Sequence, residues 1–152
     1  MVTVVTRRDP VTVPLSGAYA GVTVTLARLT SPQFAQARHA AQAILDDDGN
    51  VIVLMSEHDL LPPGGVRAWK RMRDDDPIAF AAFMTGIRVW VCAVECGLIG
   101  IQSWTGIKVE GGTAAPVERN LLEILMLDES FSQQIMDELD AAARILLLEG
   151  KP

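Results

Sequence analysis

Histidine, cysteine and aromatic residues are scarce in this chain. Its 152 residues hold two His, two Cys and 5% aromatics. Two cysteines make no disulfide framework, which fits a reducing cytoplasmic setting. Cys92 and Cys96 stand one helical turn apart with Glu95 beside them. No second cysteine pair exists, so a zinc site would need His39 or His58 brought in from elsewhere, and no metal is assigned. No G-x-S-x-G elbow, P-loop or dinucleotide fingerprint occurs. The glycines between 100 and 112 lack the strand–glycine–helix layout that cradles phosphate. Glu57-His58-Asp59 brings acid–base groups together in sequence, but adjacent residues rarely point into one site, and no nucleophile accompanies them. No catalytic or cofactor-binding residue is therefore expected. Basic patches are also missing. Net charge is −6, and the cluster Arg67, Lys70, Arg71, Arg73 is answered at once by Asp74, Asp75 and Asp76. A self-compensating charge run is not a phosphate track, so nucleic acid is not an expected partner. A charged-then-apolar leader is absent, so export is not expected.

What the chain does have is apolar surface. Hydrophobic residues make up 49% of it. Such a chain either builds a large core or leaves surface for a partner to cover. One domain, residues 1–152, is the expectation from its length.

The stretch Asp76–Gly97 organises the rest. Asp76 suits an N-cap, Pro77 suits the first helical position, and Gly97 can close the helix. At 100° per residue, Ala81, Thr85, Arg88, Cys92 and Glu95 share one narrow stripe. Ile78, Phe80, Phe83, Met84, Ile87, Trp90, Val91 and Val94 cover most of the remaining circumference, so the helix is expected to be surrounded. Ile78–Ile101 is long enough to span a bilayer. Arg88 and Glu95 fall inside it, and each charge costs about 2.5–3.5 kcal/mol there. The longest uncharged run, Pro77–Ile87, is too short, and no membrane span is expected.

Ahead of this helix, residues 1–29 read as a β arm or small sheet. Val2–Thr6, Val11–Leu15 and Val22–Arg28 alternate β-branched and polar residues, and Pro14 suits an edge. Ser31 as N-cap and Pro32 open a helix to about Asp46, with Phe34, Ala37, Ala41, Ile44 and Leu45 inward. Val51–Met55 is too short to classify by period. Val66–Met72, with Trp69, predicts a short helix. Beyond Gly97, residues 97–107 read as an irregular link, and 108–115 as a Gly-rich loop. A helix is predicted over Val117–Leu127. Another opens on a Ser130/Gln133 capping box and runs to about Glu149, with Phe131, Ile135, Leu139, Ala142 and Leu146 on one face. The fold class is α+β, mostly α: a small N-terminal antiparallel hairpin or sheet, then residues 30–152 as a bundle of about five helices around the central one.

One motif tempts toward calcium. Counting Asp46 as position one, Asp48, Asn50 and Glu57 fall at three, five and twelve of an EF-hand loop. Position six needs Gly and holds Val51, and Leu61-Pro62-Pro63 stops the exit helix.

Two segments resemble a known family. One is Gly21-Val22-Thr23-Val24-Thr25-Leu26, leading through Leu29-Thr30-Ser31-Pro32-Gln33-Phe34 into an Ala-rich helix. The other is Ile101-Gln102-Ser103-Trp104-Thr105-Gly106-Ile107, then a Gly loop, Ala115-Pro116-Val117-Glu118, a leucine-rich helix, Phe131 and a closing helix. Together they resemble the tail assembly chaperones of long-tailed, non-contractile bacteriophages, with roughly residues 46–76 outside the pattern. The resemblance implies a non-enzymatic protein of the bacterial host cytoplasm that binds the tape measure protein, helps recruit tail tube subunits and is absent from the mature virion. Helix-in-groove recognition would serve that role. Leu121, Leu125, Leu147 and Leu148 are candidate partner-binding residues, with core packing or self-association as the plain alternative. Trp104 is a further candidate, its alternative being a residue buried under the Gly loop. A structural subunit of the tail or connector, pairing through its β arm, and a small metal- or calcium-binding regulator are the competing functions. A homo-oligomer stays open.

Overall fold

The computed structural model describes residues 9–27 and 29–143. Strands β1 (Val11–Pro14) and β2 (Thr23–Leu26) form an antiparallel hairpin. Six α-helices are described: α1 (Ser31–Leu45), α2 (Asp48–Glu57), α3 (Gly65–Asp75), α4 (Pro77–Gly100), α5 (Arg119–Met126) and α6 (Glu129–Ala143). A third strand, β3 (Ile101–Thr105), follows α4 and pairs antiparallel with β2, giving the order β1-β2-β3. The architecture is α+β and mostly α, as expected. The predicted strand Val2–Thr6 and the end of the last helix lie outside the described residues.

The sheet shows why the Thr/Val alternation matters. Val13, Val24 and Trp104 share one register and one face, where Val24 is fully buried. Thr12 and Thr25 on the opposite face join through their hydroxyls, as do Thr23 and Thr105. Pro14 stands on an edge strand, where its missing N–H breaks no ladder. The segment expected to be an irregular link supplies β3. Its own pattern is too short to declare a strand, and β2 provides the partner. The hairpin loop docks on α6, with Tyr19 against the Phe131 ring at 5.2 Å and the Ser16 N–H donating to Gln134 at 2.8 Å.

Several helix ends differ from expectation in their capping chemistry. Thr30, not Ser31, caps α1. Its hydroxyl accepts the Gln33 N–H at 3.3 Å, and its own N–H donates to the Gln33 side chain at 2.8 Å, a reciprocal capping box. Val51–Met55 belongs to α2, whose start is set by Asp47 accepting the Asn50 N–H at 2.9 Å. Asp128, not Ser130, opens α6 by accepting the N–H groups of Ser130 and Phe131 at 2.9 and 3.2 Å. The helix predicted from Val117 begins at Arg119.

Asp76 and Pro77 open α4 as predicted, the Asp76 carboxylate accepting the Ala79 N–H at 3.2 Å. Gly97 does not close it. The helix runs on to Gly100, and both glycines instead let neighbours approach. A Cβ on Gly97 would lie 3.1 Å from Met126 Cε, and one on Gly100 would meet Leu139. The helix is surrounded only along its second half. Ile87, Trp90, Val91, Ala93, Val94, Cys96, Gly97 and Gly100 are buried, under α1, α5 and α6. The first half rests on α3, where Trp69 meets Phe80 at 5.4 Å. There Ile78 is 85% exposed, and Val89, just past the midpoint of the helix, is 64% exposed. The 15-residue α1 is much shorter than the 24-residue α4, so one neighbour cannot cover its whole length. By length and composition alone α4 could cross a bilayer, and 28% of its most apolar stretch is buried within the fold.

Candidate functional site

A groove of about 350 Å³ opens between α1, α2, α4 and α5. Its walls are apolar: Ile44 from α1, Val53 and Leu54 from α2, Trp90, Val91 and Val94 from α4. Its polar margin holds Asn50 and Glu57 of α2 and Arg119 and Glu123 of α5. Arg119 and Glu123 reach one margin because residues four apart share a helix face. Val53 is 57% exposed, an apolar side chain held at the groove's mouth.

Trp90 braces this site from below. Its indole N–H donates to the Glu123 carbonyl at 3.0 Å, and its ring meets that of His58 in a T-shaped pair at 5.3 Å and 77°. His58 sits at the C-terminal end of α2, directly after Glu57. Its Nε2 lies 3.6 Å from Glu123 Oε1. Glu95, a charge inside the most apolar helix of the chain, faces α5. Its carboxylate accepts a 2.6 Å hydrogen bond from Arg119, and this bond raises the arginine's pKa further. Burial of a carboxylate without such a partner would be strongly unfavourable.

The near-calcium stretch has other employment. Asp46 accepts from Gln42 at 2.6 Å, Asp47 caps α2, and Asp48 pairs with Arg73 at 2.6 Å. Asn50, Val53 and Glu57 lie within a helix, not a twelve-residue loop, so the matching spacing does not produce loop geometry. Cys92 is half-buried and Cys96 buried. Burial, then the neighbouring Cys92, pushes the Cys96 thiol up to about 12.

The predicted partner residues fall elsewhere. Leu121 and Leu125 are half-buried on α5, and Leu125 packs against the core. Neither lines the groove. Trp104 is half-buried and donates its indole N–H to the Ala115 carbonyl at 2.7 Å, which ties β3 to the Gly-rich loop. Leu147 and Leu148 lie outside the described residues. Sequence reading missed Trp90, Arg119 and Glu123 as one constellation. The Arg119/Glu123 spacing was visible, but its partner on α4 is not local.

No protein-family model matches this chain, and no curated protein and no solved structure matches it.

Proposed function

We propose that this chain is a non-enzymatic phage tail assembly chaperone that receives apolar side chains of the tape measure protein and assists addition of tail tube subunits. The groove between α2, α4 and α5 carries the reading: a concave, largely aliphatic surface with an indole wall, next to exposed Val53. Such a groove suits an amphipathic helix laid in with its apolar stripe inward. The chain's net charge of −6 favours a stripe flanked by Lys or Arg. The reading also rests on the resemblance of the two segments named above, parts of which pair in one sheet with Val24 opposite Trp104.

Pull-down of tape measure segments by the purified chain tests the proposal. Val53→Asp places a charge at the mouth of the groove on an exposed position. It is expected to leave far-UV circular dichroism unchanged and to weaken capture about tenfold or more, the scale of a lost interface anchor. Ile78→Lys, on a remote surface, is expected to keep capture. A folded Val53→Asp variant with unchanged capture would overturn the groove assignment. Presence of the chain in finished particles at fixed stoichiometry would overturn the chaperone role in favour of a structural subunit.

A further inference from the structure

We propose that Glu57, His58 and Glu123 form a binding site for a divalent transition-metal ion of the zinc class. One ligating atom from each residue lies within 4.8 Å of the others. The His58 Nε2 to Glu123 Oε1 distance of 3.6 Å is too long for a hydrogen bond. It is close to the ligand–ligand edge of a tetrahedral ion, roughly 3.4 Å for bonds near 2.1 Å.

Burial supplies an independent reason. The His58 and Glu123 side chains are only 11% and 10% exposed. Among the described residues no hydrogen-bond donor reaches the Glu123 carboxylate. The nearby guanidinium of Arg119 feels the Glu123 charge but gives its 2.6 Å bond to Glu95. Two buried glutamates thus share one permanent cation. His58 offsets the Glu123 charge only when protonated, whereas a metal ion between the two would offset it with the imidazole neutral.

The donors are also held in place. Trp90 packs against the His58 ring and holds the Glu123 backbone through its indole N–H, so one side chain positions two of the ligands. The third, Glu57, is exposed at the groove margin and can swing inward. One imidazole and two carboxylates suit zinc, cobalt, nickel or manganese better than soft copper(I) or all-oxygen calcium. Three protein ligands leave a position for water or for a donor from a partner in the groove.

Titration of the chelator-treated full chain with zinc chloride, followed by calorimetry and tryptophan fluorescence, tests this site. One ion per chain is expected, with a fluorescence change from Trp90 and negligible binding of magnesium. Glu123→Gln and His58→Ala are expected to weaken zinc about 100-fold or more and Glu57→Gln about tenfold. Should either buried variant fail to fold, exposed Glu57→Gln still decides the matter. Cys92→Ser should leave affinity unchanged. Absence of zinc binding at millimolar concentration, or unaltered binding by folded variants, would overturn the site. The second outcome would move the ion elsewhere, and neither outcome touches the capture experiment at Val53.

Discussion

The Trp90 indole N–H donates to the main-chain carbonyl of Glu123 at 3.0 Å, joining the 24-residue α4 to the eight-residue α5. The bond falls where α5 tightens into its last turn. The Leu127 N–H bonds to Ile124 and the Asp128 N–H to Leu125, each three residues back. The last carbonyls of a helix need outside partners, and Trp90 serves one of them. Trp90→Phe keeps most of the ring volume and removes the donor. It is expected to cost about 1–3 kcal/mol, the penalty for leaving a buried acceptor unmet. Trp90→Ala also opens a cavity and is expected to cost about 3–5 kcal/mol. Urea unfolding followed by circular dichroism measures both. Equal stability of Trp90→Phe and the parent would mean that the carbonyl finds water instead.

Two glycines of α4 predict opposite outcomes for the same substitution. A methyl group on Gly100 would meet Leu139 and lie 3.4 Å from Leu29 Cδ2, and both leucines are fully buried. Gly100→Ala is expected to destabilise by about 1–3 kcal/mol through overpacking. Gly86 is exposed in mid-helix, and a methyl group there would have no neighbour within 4 Å. Gly86→Ala is expected to stabilise by about 0.5–1 kcal/mol by lowering the entropy of the unfolded chain. Thermal unfolding should move the two midpoints in opposite directions. A loss at both positions would indicate that the exposed half of α4 is covered in solution.

Local signals made much of this fold legible. Asp76-Pro77 opens α4, the Thr/Val alternation builds β1 and β2, and Phe131, Ile135 and Leu139 are the buried face of α6. Those features depend on neighbours in sequence, where caps and periods operate. Strand β3 and helix α2 were not legible. The first exists through pairing with β2, some 75 residues earlier in the chain, and the second is too short for periodicity to decide. The candidate site was less legible still. Glu57 and His58 stood out as a local cluster, whereas Glu123 and Trp90 join them only after α2 packs on α1 and α5 packs on α4. Exposure of Ile78 and Val89 was hidden for a related reason. A wheel shows which faces are apolar, but not how far along the helix the neighbours extend.

The cysteine pair gives a prediction with a definite sign. Cys96 is buried, and burial followed by the nearby Cys92 holds its thiol protonated up to about 12, against an ordinary value of 9.0. In the unfolded chain the same thiol ionises near its ordinary value. Below pH 9 both states keep the proton, and the group's contribution to stability is constant and fully present. Between pH 9 and 12 the unfolded chain gives up a proton that the folded chain retains, so stability falls as pH rises. Tyr19, raised by burial and then by Asp128, adds to the alkaline fall in the same direction. Cys96→Ala should therefore remove part of that fall and leave the slope below pH 9 unchanged, as read from urea midpoints across the range. Reactivity follows the same geometry, because the thiolate is the nucleophile and Cys92 is the more accessible of the two. Iodoacetamide at pH 8 is expected to modify Cys92 in the folded protein and to spare Cys96 until denaturant is added. Equal modification of both, with the chain still folded, would show that α1 does not seal this side of α4.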